Sequence, residues 1–277
     1  MARKKKKDGE TEMSFFDHLE ELRWHIMRSV LAILVFGVVV FLAKDFVFTE
    51  VIFGPRNPDF ITYRAVCKFS DLIGMGESLC FGPKEFKLIT PDMGELFLTH
   101  IKVSLILGLV MAFPYLFWEI WRFVKPGLHE KEKRTTRYVV FICSSLFLLG
   151  VVFGYYIVSP FAVSFLTGYE LPGVDSTPAL GSYIGYMVMF TLPLGVVFEL
   201  PVAAHVLTRI GVLSSAFLKE YRRHAVVIIV IVAGVITPPD AFSQILVAVP
   251  LYGLYELSIF VSRRVEKKMA LEELVEK

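Results

Sequence analysis

Apolar residues along this chain come in long blocks separated by short charged ones. Neither the two-residue alternation of a half-buried strand nor the narrow stripe of a soluble helix is dominant. Four blocks, Trp24–Ala43, Leu96–Trp121, Tyr138–Val158 and Tyr183–Leu207, match the roughly 20 residues that cross a hydrocarbon core of about 30 Å at 1.5 Å each. Two shorter blocks, Ala225–Thr237 and Phe242–Val261, flank Pro238-Pro239-Asp240. Proline donates no backbone hydrogen bond and restricts the residue before it, so Thr237-Pro238-Pro239-Asp240 stops one helix and starts another. The pattern therefore predicts an all-α membrane protein of six transmembrane helices, the last two forming a short hairpin. About 13 apolar residues in the fifth span only about 20 Å. Either the bilayer thins around them or flanking Tyr221 and Thr237 lengthen the helix.

The polar positions orient these spans. Lys and Arg concentrate in the N-terminal tail, in the second loop (Arg122, Lys125, Lys131, Lys133, Arg134, Arg137), in the fourth (Arg209, Lys219, Arg222, Arg223) and in the C-terminal tail (Arg263, Arg264, Lys267, Lys268). The third loop, Ser159–Ser182, and the Pro238-Pro239-Asp240 turn have none. Basic loops stay cytoplasmic, so both termini are expected inside. Residues 1–23 are then a cytoplasmic tail with an interfacial helix, 24–261 one membrane domain and 262–277 a cytoplasmic tail. Arg3-Lys4-Lys5-Lys6-Lys7 before an apolar run resembles a secretory signal. The run, however, begins only after the acidic stretch Asp8–Glu21, exceeds the length of a signal core and lacks a small-residue cleavage site.

Composition agrees, with 55% hydrophobic and 20% charged residues against roughly 45–50% and about 25% in soluble domains. A net charge of +2, spread over several blocks, provides no basic domain for nucleic acid. The Gly-x-x-x-x-Gly-Lys-Ser/Thr, His-Glu-x-x-His and Gly-x-Ser-x-Gly motifs of nucleotide, zinc and serine chemistry are missing, as is an intramembrane Asp pair.

Ionisable residues inside spans are costly and so are functional candidates. Glu199, bracketed by Pro193 and Pro201, lies well inside the fourth span; a protonated structural Glu is the competing reading. Glu119 and Glu256 sit near cytoplasmic ends, and Glu119 reaches Arg122 at i,i+3. Arg28 and Lys102 read as snorkelling side chains. Ser14–Trp24 reads as an interfacial amphipathic helix with a capping-box-like start at Ser14 and Asp17, or simply as an anchor. In the second loop, Glu130 and Glu132 stand among basic residues, where carboxylates could take guanidinium groups bidentately or form local salt bridges. Cys67 and Cys80 share the extracytoplasmic first loop, where a disulfide is permitted.

Several of these stretches, in order, resemble the TatC family, the polytopic subunit of the twin-arginine protein translocase. They are His18-Leu19-Glu20-Glu21-Leu22-Arg23, Trp121-Arg122-Phe123-Val124-Lys125-Pro126-Gly127-Leu128 with Glu132 and Arg134, Phe198-Glu199-Leu200-Pro201, Thr237-Pro238-Pro239-Asp240, Ser243-Gln244 and Tyr255-Glu256. The resemblance implies a curved, glove-like bundle without cofactor or metal, with a genuinely short fifth and sixth helix. It implies a bacterial inner-membrane receptor and assembly platform for folded cargo carrying twin-arginine signal peptides, driven by the proton-motive force. Expected partners are TatA/TatB-type single-span subunits and further copies of the chain. The family's signal-peptide positions fall on Glu21, Leu22, Arg23, Phe123 and Glu132. Its intramembrane polar contacts fall on Glu199 and Gln244, and its periplasmic hairpin on Pro238, Pro239 and Asp240. His25 stands where Arg is common, and receives no role. The competing function is a secondary transporter of a small solute, which would show inverted repeats and broken helices at the midplane.

Overall fold

The computed structural model describes residues 15–124, 136–173, 177–238 and 240–275. Among these residues the secondary structure is helical apart from one isolated bridge between Ile89 and Ala179. Five helical stretches among the described residues are long and apolar enough to cross a membrane: 20–42, 95–123, 139–168, 180–209 and 241–272.

The first helix, α1 (Phe15–Leu42), is continuous, so the segment expected as a separate interfacial helix and the first span are one rod. Its apolar residues point in many directions, with Val30, Leu31, Leu34, Val35, Val38 and Val39 all exposed. An apolar surface of this extent is suited to lipid. A π-turn (Val47–Ile52) and α2 (Ile61–Leu72) follow within the first loop. Then α3 (Glu95–Val124) returns antiparallel along α1. The third span is longer than the sequence pattern suggested: α4 (Thr136–Phe153) passes through a π-turn, Gly154–Val158, into α5 (Ser159–Gly168).

The fourth span is interrupted. α6 (Leu180–Val197) and α7 (Leu200–Arg209) meet at Phe198 and Glu199. Pro201 cannot donate to the carbonyl one turn back, which loosens the helix at this point. A short α8 (Ser215–Glu220) precedes α9 (Arg222–Ile236), whose 15 residues span only about 22 Å. Finally, α10 (Ala241–Val275) runs 35 residues, so most of the segment expected as a C-terminal tail is helical. It is tied back to the preceding loop: Glu266 accepts from the Ser215 backbone N–H and hydroxyl at 2.7 and 2.5 Å, and Arg209 donates to Glu272 at 3.0 Å.

Small residues bring the long helices together. A methyl group on Gly108 would sit 2.7 Å from the Gly37 nitrogen, and one on Gly150 would sit 2.6 Å from the Leu194 carbonyl oxygen. Without a hydrophobic force between helices in lipid, such backbone approach provides the van der Waals contact that holds them. The core gathers Val103, Val158, Phe190, Leu194, Val247 and Leu251 from α3 to α10.

The loops at the α1 C-terminal end form a cap. Tyr63 donates to the carbonyls of Pro55 (2.8 Å) and Pro160 (3.2 Å), and burial pushes its phenol pKa up. Ile89 pairs with Pro178 and Leu180, joining the two loops. Lys84 meets Glu170 at 2.5 Å and holds that carboxyl below its ordinary value. Cys67 and Cys80 come together, with Cα atoms 4.7 Å apart.

Candidate functional site

The antiparallel pairing of α1 and α3 brings the start of one helix to the end of the other, and a polar cluster forms there. Its centre is Glu119, 2% exposed. A buried carboxylate is tolerated only when it is paired, and this one has partners on both helices. His25 Nδ1 of α1 lies 2.5 Å from Glu119 Oε2. Arg28 lies 3.7 Å and Arg122 3.6 Å from its oxygens, with the Tyr115 hydroxyl beside it. His25 is itself 6% exposed.

The histidine also faces outward along the rim. Its Nε2 is 3.9 Å from Glu21 Oε1 one turn earlier on α1. Its ring meets Phe123 edge-on, with centroids 6.0 Å apart. Glu21 and Phe123, more than a hundred positions apart in the chain, are thus neighbours of one imidazole. Leu22 and Glu21 are half-buried and Arg23 is exposed beside them. Glu132, expected to complete this group, lies outside the described residues. Chemically, the rim presents a part-exposed carboxylate and an aromatic ring, backed by a buried charge network. That combination suits a cationic ligand with some apolar surface.

The other expected residues lie elsewhere. Glu199 sits at the α6/α7 interruption with both carboxylate oxygens buried; the Cys143 thiol of α4 is close by, but no hydrogen bond of normal geometry reaches the carboxylate among the described residues. Asp240 caps α10, its Oδ2 accepting from the Ser243 N–H at 2.7 Å, as expected of Asp at a helix start. Gln244 is engaged within the hairpin: its amide donates to the Val230 carbonyl at 3.0 Å and packs against Gly234. Pro238 bounds the turn, and Pro239 lies outside the described residues. Glu256 pairs with Arg222 at 2.6 Å and accepts from Tyr252 at 3.0 Å.

Sequence reasoning missed the pairing of Glu119 with α1. It paired Glu119 with Arg122, which the structure retains, but left His25 without a role and took Arg28 for an isolated snorkelling residue. One signal was available: an acid in an apolar run, with a histidine and an arginine at i,i+3 on another span at similar depth.

The chain matches the family model described as Sec-independent protein translocase protein (TatC) over residues 17–250. A Sec-independent protein translocase protein TatC from Blattabacterium sp. subsp. Periplaneta americana (strain BPLAN) is 36% identical over 267 residues, covering 95% of this chain and 99% of that protein. Another from Desulforapulum autotrophicum is 36% identical over 264 residues, covering 95% and 89%. A crystal structure described as the twin arginine translocase receptor TatC superposes with a TM-score of 0.66 at 31% identity, over 90% of this chain and 99% of that one. A second, in DDM, gives 0.68 at 30%, over 88% and 99%. With matches of this breadth, to a multi-span membrane subunit of a bacterial translocase, the chain belongs to the TatC family of Sec-independent protein translocase proteins.

Proposed function

We propose that this chain is the twin-arginine signal-peptide receptor and assembly platform of its translocase. The observation that carries this reading is the convergence of Glu21 and Phe123 on one rim, around His25, although they come from different helices. An exposed ion pair in water is worth only about 0–1 kcal/mol. Recognition of paired arginines therefore calls for clustered acids in a partly desolvated setting, and Glu132 is assigned as the second acceptor beside Glu21. Leu22 and Arg23 shape the α1 side of the rim.

In this reading the rim faces the cytoplasm, both termini are on the inner side of the bacterial inner membrane, and α9 and α10 supply the fifth and sixth crossings. The basic loops support that orientation. Glu199 and Gln244 serve as intramembrane polar contacts for TatA/TatB-type subunits, and further copies of the chain assemble alongside. The Pro238–Asp240 hairpin and the Cys67–Cys80 disulfide then lie on the periplasmic side. Transport draws on the proton-motive force.

Photo-cross-linkers at Phe123 and Glu132 should capture a twin-arginine precursor and lose a twin-lysine control. A Glu21→Ala/Glu132→Ala double variant should lose both capture and export. Normal export by that variant would overturn the assignment.

A further inference from the structure

His25 touches two carboxylates with its two ring nitrogens, one buried and one on the rim. Nδ1 is held at 2.5 Å from Glu119, and Nε2 lies 3.9 Å from Glu21 Oε1. The Glu119 contact fixes the tautomer of the neutral ring, placing the proton on Nδ1 and a lone pair on Nε2. A lone pair facing a carboxylate gives Glu21 no reason to stay against the ring. When the ring is doubly protonated, Nε2–H becomes a cationic donor aimed at Glu21. Arg28 and Arg122 already neutralise Glu119 from both helices, so the buried pair survives either state and the change is felt at Glu21. Around the imidazole, the charged and titratable groups among the described residues are Glu21 and Arg28 of α1 and Tyr115, Glu119 and Arg122 of α3.

We propose that His25 is a positioning residue for the recognition rim: neutral, it leaves Glu21 open to a ligand guanidinium, and protonated, it occupies Glu21 itself. This rests on the receptor reading given above. Peptide binding and protonation of His25 then oppose one another, and by reciprocity each weakens the other by the same factor. The effect is that of one part-exposed ion pair, at most about five-fold.

The test is the affinity of a fluorescent twin-arginine signal peptide for the purified full chain in detergent, from about pH 8 to about pH 5.5, the range over which histidine changes charge. Affinity should fall about two- to five-fold on acidification. In His25→Gln, which can still donate to Glu119, the profile should flatten; the remaining histidines are kept, so any residual slope belongs to them. On the unmodified chain, calorimetry near pH 6 in two buffers of different ionisation enthalpy should report protons released on binding. A flat wild-type profile, an unaltered slope in His25→Gln, or no proton release overturns the proposal while leaving the receptor reading intact. No selective binding of the twin-arginine over the twin-lysine peptide at either pH overturns both.

Discussion

Glu119 shows how one buried side chain can tie two helices together at their ends. Buried to 2% exposure, it would carry a severe desolvation penalty alone, and His25, Arg28 and Arg122 offset it from two elements. Removing Glu119 leaves the buried His25 ring without its acceptor, at a cost of about 1–3 kcal/mol, while Arg28 and Arg122, each about half exposed, keep their hydration. Glu119→Ala should therefore lower the thermal unfolding temperature markedly in detergent, and Glu119→Gln, which keeps an acceptor for His25, less so. Equal stability of Glu119→Ala and the unaltered protein would mean that the cluster contributes nothing. The sequence revealed the residue types and the one-turn pairing of Glu119 with Arg122, but not the pairings between helices. Glu199 shows the opposite case: its position inside an apolar run was legible, as was its proline neighbour, but not which way its carboxylate turns.

Between elements, the decisive contacts are backbone approaches at glycine. Gly37 and Gly108 lie opposite each other on α1 and α3 but are not equivalent. A methyl on Gly108 meets the Gly37 backbone at 2.7 and 2.8 Å, whereas one on Gly37 finds its nearest atom at 3.5 Å. Gly108→Ala should then destabilise the protein by about 1–3 kcal/mol, the usual cost of overpacking, while Gly37→Ala should be nearly neutral. Chemical unfolding of both variants checks the asymmetry, and equal effects would contradict this packing of α1 on α3. The helices themselves were readable from apolar run length. Their interruptions were less so: Pro201 warned of the break at Phe198–Glu199, but the π-turns at Val47–Ile52 and Gly154–Val158 have no comparable sequence mark. Their carbonyls are met by side chains from other elements: in the first turn Tyr155 donates to Val51 at 2.6 Å and Tyr183 to Ile52 at 2.9 Å, and in the second Thr62 donates to Tyr156.

For the whole molecule, the proposed topology makes the exposed residue Met93 periplasmic and Lys268, exposed on α10, cytoplasmic. A membrane-impermeant maleimide added to intact cells should label Met93→Cys, and should label Lys268→Cys only after lysis. The parent chain should stay unlabelled until reductant opens Cys67–Cys80, since Cys143 is buried. Labelling of Lys268→Cys from outside would refute the orientation. The short α9 bears on the surrounding bilayer as well. At about 22 Å it falls well below the hydrocarbon thickness, so lipid beside the hairpin must thin or the helix must be sheltered by its neighbours.

Run length and proline placement were enough to mark out the long apolar helices in order, and charge asymmetry to argue their direction, because the bilayer acts on each segment almost independently. The order of motifs was enough for the family. What needed the tertiary structure was every relation between segments: the joining of the interfacial stretch to α1, the helical continuation past residue 262, and the meeting of His25 with Glu119. These depend on which faces pack and how closely backbones approach. Burial and pairing are properties of two surfaces together, and a single run of sequence holds only one of them.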